Sequence, residues 1–327
     1  MLILRLFISI SILYLLSACY GQTQAPIAVN SSEQKSSSAI ALTDASNTQI
    51  VLKQEAKKIV CLHLSCIDTL AELDIPPIAV HNGLHDLAVS SAYFDSAQNV
   101  VKVAGYAEPN LEQLLFLNPD LVVGHVAQLA SQRQQIEAIA PLYVLDIETA
   151  EDAIENLKIM GQITGETKQA EAAIQAFQEK LETYKNRSPK NKTVLVTNGT
   201  TGNFFVATDR SLVGSVLAEV ANYPSSFSDL NLSAINWIAL SQEEILKINP
   251  DVIFVLTSAP SNDFLEQLQS DPFWQSLKAV QTQQIYQIEN DKVGGLTTGT
   301  RSLLRLLDEI MPKLYPDQFS ESSNLQN

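Results

Sequence analysis

The sequence predicts an α/β fold of two lobes, each a mainly parallel sheet flanked by helices, with one long helix between them. The strongest observation behind this is a phrase that occurs twice. Asn110-Leu111-Glu112-Gln113-Leu114-Leu115-Phe116-Leu117-Asn118-Pro119-Asp120-Leu121-Val122-Val123 returns as Ser241-Gln242-Glu243-Glu244-Ile245-Leu246-Lys247-Ile248-Asn249-Pro250-Asp251-Val252-Ile253-Phe254. Each copy reads as a short helix, an Asn-Pro-Asp turn that stops it, and an apolar run of strand length. The copies lie about 130 residues apart, well beyond the roughly 20 to 50 residues of a stacked repeat, so they mark two similar lobes and a cleft between them. The second observation is an alternation of strand and helix patterns along the body, the signature of a parallel sheet covered on both faces. The third is the stretch Glu166 to Asn186, rich in Ala, Glu, Gln and Lys and apolar at Ala170, Ile174, Phe177 and Leu181. It is an amphipathic helix long enough to bridge lobes.

Taken in order, the chain starts with Arg5 as its only early charge, runs through apolar Leu6 to Leu16, and reaches Leu16-Ser17-Ala18-Cys19. The run is short for a bilayer span and is flanked like a signal peptide. It resembles a bacterial lipoprotein signal, which implies cleavage before Cys19 and a diacylglycerol anchor on its thiol; an ordinary cleaved signal is the alternative. From Tyr20 to about Asn47 the chain is mostly Ser, Gln, Thr, Asn and Ala without a period, the composition of a flexible tether.

Lys58 to His63 reads as a strand, Ile67 to Leu73 as a helix with Ser65 placed to cap it, and Pro77 to Val80 as a second strand. The Glu112 helix, the Leu121 to Val123 strand, a helix from about Gln128 to Ile139 and the strand Leu142 to Leu145 complete the first lobe. The second opens with the strand Thr193 to Thr197. It continues through the helix Leu212 to Val220, the Glu243 helix and the strands Val252 to Leu256 and Gln284 to Ile288, and closes on a helix from Thr298 to Leu314 that Pro316 ends. The boundaries are therefore a signal over 1–18, Cys19 and tether over 19–50, a first lobe over 51–165, the linking helix over 166–188, a second lobe over 189–316 and a polar tail over 317–327.

A net charge of -15 without a basic cluster argues against nucleic acid as a partner, since phosphate binding needs a local excess of Lys and Arg. Beyond Cys19 the cysteines are Cys61 and Cys66, whose spacing lacks the second ligand pair of a structural zinc site. Both read as buried small hydrophobes, with a strained disulfide across the strand-to-helix turn as the alternative. No phosphate loop, nucleophile elbow or His-Glu-x-x-His helix is present, so no enzyme class is indicated. Of the histidines at 63, 81, 85 and 125, His63 falls within a strand and reads as structural. The other three follow strands or lie in loops.

A resemblance becomes specific at Lys58-Ile59-Val60-Cys61-Leu62-His63-Leu64-Ser65, Val103-Ala104-Gly105-Tyr106-Ala107-Glu108-Pro109-Asn110-Leu111-Glu112 and Asn118-Pro119-Asp120-Leu121-Val122-Val123-Gly124. These are similar to first-lobe signatures of the periplasmic binding proteins that deliver ferric siderophores, haem and cobalamin to ABC transporters. Trp237 to Phe254, and Ser270-Asp271-Pro272-Phe273-Trp274 through Ile285-Tyr286, are similar to the second-lobe signatures. The resemblance spans about residues 55 to 315. It implies two Rossmann-like lobes joined by one long backbone helix, a ligand in the cleft, and no catalysis. It also implies a monomer that is lipid-anchored in the cell envelope and partners an ABC permease dimer with its cytoplasmic ATPase. By motif position the family's two permease-docking glutamates fall on Glu112 and Glu243. From the residues alone, both also serve as helix-start carboxylates that complement the dipole.

In an open α/β sheet the ligand lies outside the carboxyl ends of the strands, so the loops after strands hold the candidates. On the first lobe these are Ser65, His85, Tyr93, Tyr106 and His125. On the second they are Asn198, Thr200, Phe204, Arg210, Trp237, Ser258 and Arg301. Tyr106 stands where hydroxamate-siderophore binders of the family carry Arg and cobalamin binders an aromatic. Arg210 and Arg301 offer planar donors to carboxylate or hydroxamate oxygens. The expected ligand is an iron chelate, a ferric siderophore, held without a resident cofactor and without direct ligation of metal by the protein. Cobalamin or haem is the alternative within the class, and bare zinc or manganese a further one. A two-lobed nitrogenase-like or chelatase-like enzyme is the different class, disfavoured by the lipoprotein signal.

Overall fold

The computed structural model describes residues 39–94, 99–105, 108–129, 132–200, 203–224, 236–257, 266, 270–295 and 298–319. Cys19 and the signal lie outside these residues, as do Tyr106 and Ser258. The expected tether gives way to structure before residue 50. Strands β1 (Ile40–Thr43) and β2 (Gln49–Leu52) form an antiparallel hairpin with Thr43 opposite Gln49. Asp44 in its turn is buried; its carboxylate accepts from the backbone N–H of Ser46, Thr48 and Val144 and pairs with Arg133. A short polar stretch is thus ordered by one satisfied buried carboxylate, which composition alone does not reveal.

The first lobe is a five-stranded, all-parallel sheet. It comprises β3 (Ile59–Cys61), β4 (Ala79–His81), β5 (Val101–Val103), β6 (Leu121–His125) and β7 (Leu142–Leu145), in the order β5-β4-β3-β6-β7. β3, β4, β6 and β7 are buried on both faces, whereas edge strand β5 exposes Val101 and Lys102. Ile59, Cys61, Leu121 and Val123 enter one core cluster, while Val60, Val122 and Leu142 enter the other, as the period-two alternation of a strand requires. Helices α1 (Leu64–Glu72), α2 (His85–Ala88), α3 (Leu111–Leu117), α4 (Val126–Leu129) and α5 (Arg133–Glu137) connect the strands. The helix expected from Gln128 to Ile139 is therefore two short ones.

Two helices, α6 (Ala150–Thr164) and α7 (Thr167–Arg187), follow as an antiparallel pair turned by Gly165, which has φ +80°. The expected linking helix is α7, and α6 packs beside it. Ala150 and Ala153 at the start of α6 pack in the core of the second lobe, whereas Leu157, Met160 and Ile163 pack in the first; α7 returns with Ala170 in the first core and Phe177 and Tyr184 in the second.

The second lobe has a mixed sheet of β8 (Val194–Thr200), β9 (Asn203–Ala207), β10 (Trp237–Ala239), β11 (Val252–Thr257) and β12 (Ile285–Glu289), in the order β10-β9-β8-β11-β12. β8, β11 and β12 are mutually parallel, and β9 runs antiparallel to both β8 and β10. Around them lie α8 (Leu212–Val220), α9 (Gln242–Ile248), α10 (Pro272–Gln275), α11 (Lys278–Gln281), α12 (Asn290–Val293), α13 (Thr300–Leu314) and α14 (Pro316–Phe319). Phe319 is buried against Tyr184, so the folded body extends past Pro316. Among the described residues no helix is long and apolar enough to cross a membrane.

Both copies of the repeated phrase fold alike. Asn110 caps α3 and Ser241 caps α9, and both helices end on an Asn in the left-handed region, Asn118 at φ 45° and Asn249 at φ 44°. The Asp of each turn also does the same thing. Asp120 accepts from the N–H of Lys57 and Lys58, and Asp251 from that of Thr193, tying each turn to the start of its lobe's central strand.

Candidate functional site

In the first sheet the chain passes from β3 outward to β4 and β5, then returns to place β6 on the other side of β3. The carboxyl ends of β3 and β6 thus form the topological switch point, where open α/β sheets bind ligands. His125 ends β6 there, and His63 lies just beyond β3. Their rings are 4.6 Å apart between centroids, tilted by 34°. His63 caps α1, and its Nδ1 accepts from the N–H of Ser65 at 3.3 Å. The expected cap, Ser65, is instead the donor and is fully buried. His125 sets Nε2 3.4 Å from the Asp146 carboxylate. Burial pushes the His63 imidazole down to about 3, with the neighbouring His125 adding to the shift; burial also lowers His125, against the pull of Asp146 and Glu148. Both rings are therefore neutral at neutral pH.

A disulfide joins Cys61, the last residue of β3, to Cys66 in the first turn of α1, with Cα atoms 5.5 Å apart, a separation suited to the bond. The reading of these cysteines as free buried hydrophobes is corrected. The bridge spans the turn that carries His63.

The second lobe meets this edge through the chain after β12. Gly294 and Gly295 follow α12 with φ of +85° and +91°. A Cβ on Gly295 would fall 2.4 Å from Leu64 Cδ2, and one on Gly294 would fall 2.6 Å from the Tyr93 hydroxyl. Only glycine permits both the backbone and the approach. The segment after β12 is thus seated against Leu64 and Tyr93 of the first lobe, close to the turn that follows β3.

Two of the expected ligand residues, Tyr93 and Arg301, make contacts between the lobes. Tyr93 is buried, with its hydroxyl shared between the Asp68 carboxylate and the Gly294 carbonyl. Arg301 donates from Nε to the Ala92 carbonyl at 3.0 Å and lies 3.8 Å from Glu72. Asp68, fully buried on α1, accepts from the N–H of Arg301 and Ser302 at the start of α13. Burial raises Asp68, while these donors oppose the rise; Glu72 is raised to about 7 by burial and by the charge of Asp68, against the pull of Arg301.

Other candidates are displaced by strand direction or packing. β9 is antiparallel to β8, with Thr197 opposite Val206, so the chain leaving Ala207 emerges at the amino edge. Arg210 follows it there, exposed, and Trp237, opposite Ala207, starts β10 at that edge too. Phe204 is buried against Trp274, 4.8 Å between centroids, and belongs to the core. His85 bonds the Val100 carbonyl through Nε2 and Asp86 through Nδ1, within its own lobe. Of the second-lobe candidates, half-buried Asn198 lies near the carboxyl end of β8 opposite Leu256, and Thr200 ends that strand. His63, read from the sequence as a structural residue within the strand, lies two residues past the end of β3 and directly before α1, at the switch point.

A sequence model of the periplasmic binding protein family matches residues 59–292. The chain belongs to that family. It is 26% identical over 246 residues to the Fe(3+) dicitrate-binding periplasmic protein FecB of Escherichia coli, covering 73% of this chain and 79% of FecB. Two solved structures share the fold of this periplasmic binding protein. Staphylococcus aureus SirA complexed with staphyloferrin B aligns with a TM-score of 0.71 at 22% identity, covering 84% of this chain and 98% of SirA. The triscatecholate siderophore binding protein FeuA from Bacillus subtilis, complexed with ferri-bacillibactin, aligns with a TM-score of 0.70 at 21% identity, covering 86% and 100%. Among the described residues no three His, Cys, Asp or Glu side chains gather into a group that could hold a metal ion.

Proposed function

We propose that this periplasmic binding protein captures a ferric chelate at the carboxyl edges of its two sheets and delivers it to an ABC permease, tethered to the membrane by a lipid on Cys19. The observation that carries the ligand class is the neutral, polar switch point built from His63 and His125, together with relatives named for ferric citrate and solved with siderophores. A pair of neutral imidazoles suits the oxygen-rich surface of a chelate, with the metal already saturated by the chelator. The protein does no chemistry on it.

Delivery is supported by the duplicated helices. Glu112 and Glu243 are exposed on the first turns of α3 and α9, and neither carboxylate has a partner among the described residues. Each helix leads from the carboxyl edge of its sheet, so the two glutamates mark the same side of the molecule as the cleft. Three residues on, each helix presents an exposed apolar side chain, Leu115 on one lobe and Leu246 on the other, with Phe116 91% exposed beside the first. A matched anion and apolar side chain on each lobe suits a two-fold permease with one Arg-bearing contact per half.

The test is titration of the purified protein, by intrinsic fluorescence and native mass spectrometry, with ferric citrate, ferric hydroxamate, ferric catecholate, haem, cobalamin and zinc. Saturable one-to-one binding of a ferric chelate at about micromolar concentration or below is expected. Binding of haem, cobalamin or zinc alone would replace this reading with the corresponding ligand.

A further inference from the structure

His63 carries more information than its position. Its Nδ1 accepts from the Ser65 backbone N–H at 3.3 Å and lies 3.0 Å from the Ser65 hydroxyl. A backbone amide can only donate, so Nδ1 keeps its lone pair, and a neutral imidazole must then carry its single proton on Nε2. Burial and His125 keep the ring neutral throughout the physiological range. His125 lies against the ring as a tilted neighbour 4.6 Å away, and no described residue accepts from His63 Nε2. Among the described residues this half-buried N–H has no acceptor, which leaves it open to water or to a ligand at the switch point.

Resting on the ferric-chelate reading above, we infer that His63 is a recognition residue whose Nε2–H donates to an anionic oxygen of the bound chelate. The same tautomer bars His63 from ligating metal. Coordination through Nε2 would need the proton moved to Nδ1, where it would face the Ser65 N–H and cost α1 its cap. The site therefore reads the chelator's oxygens and rejects the bare cation. The Cys61–Cys66 bridge, which spans this turn, holds His63 in place.

His63→Asn tests this, because an Asn side chain also caps a helix by accepting from the N–H two residues on and so preserves α1 while removing the imidazole. Affinity for ferric citrate and for ferric tris-catechol should fall about tenfold or more, the equivalent of one hydrogen bond to a charged group. Nitrogen-15 NMR of the histidine-labelled wild-type protein should show the Nε2–H tautomer at pH 7, unchanged by added zinc. If the wild type binds these chelates and His63→Asn binds them equally well, His63 is not the recognition residue and the ferric-chelate reading survives. An Nδ1–H tautomer, or zinc binding that His63→Asn abolishes, overturns the inference directly. If the wild type binds neither chelate, the inference falls with the reading it rests on.

Discussion

Glu72 closes α1 against the start of α13, and replacing it by Gln should make the protein more stable as pH rises. The side chain is 17% exposed, accepts from the Thr300 hydroxyl at 3.3 Å and lies 3.8 Å from Arg301. Burial and the Asp68 charge raise its pKa from 4.5 to about 7. Between those values the folded protein holds a proton that the unfolded chain has released. The wild type therefore loses stability as pH climbs from about 4.5 through 7, and above that bears the full cost of a buried carboxylate. At about 1.36 kcal/mol per pKa unit, the rise corresponds to roughly 3 kcal/mol, of which all but about 1 kcal/mol develops between pH 5 and pH 8. Glu72→Gln keeps the oxygen that accepts from Thr300 and removes the titration. In urea unfolding, the variant should gain about 2 to 3 kcal/mol over the wild type on going from pH 5 to pH 8, every other group cancelling in the comparison. An equal difference at both pH values, or a variant that loses ground as pH rises, would refute the account of this interface.

Glu112→Ala with Glu243→Ala should leave chelate affinity and thermal midpoint unchanged while nearly abolishing uptake by cells, each single variant falling between; normal uptake by the double variant would reduce both to helix-start residues worth about 0.3 to 1 kcal/mol. Binding of the wild type to permease vesicles should weaken with salt, as docking through exposed charges requires. Cys61→Ala with Cys66→Ala should cost about 2 kcal/mol of stability, the loop-closure entropy of so short a loop, measured by urea unfolding against the reduced and oxidised wild type. Cys19→Ser should release the protein from membranes without changing ligand affinity, and retention after a carbonate wash would argue against a lipid anchor.

The sequence by itself determined the α/β lobes, because a strand buried on both faces writes a continuous apolar run such as Val252 to Leu256, and an Asn-Pro-Asp turn punctuates the chain wherever it falls. It also determined the duplicated Glu112 and Glu243 helices, whose caps and stops are local chemistry. Strand direction was not legible: β9 looks like any short apolar strand, and only its pairing with β8 showed it to be antiparallel, which carried Arg210 and Trp237 to the edge away from the switch point. The partner of a buried polar group was equally hidden, since Tyr93 and Arg301 are plausible ligand residues until Asp68, Glu72 and Gly294, far away in the chain, claim them. An amphipathic pattern states that Ala153 and Leu157 are buried, yet their assignment to different lobes belongs to the α6–α7 hairpin. His63 and His125 met only when β6 folded back beside β3. Local elements follow from near neighbours in sequence, whereas a binding site is made of contacts between residues that tertiary packing alone brings together.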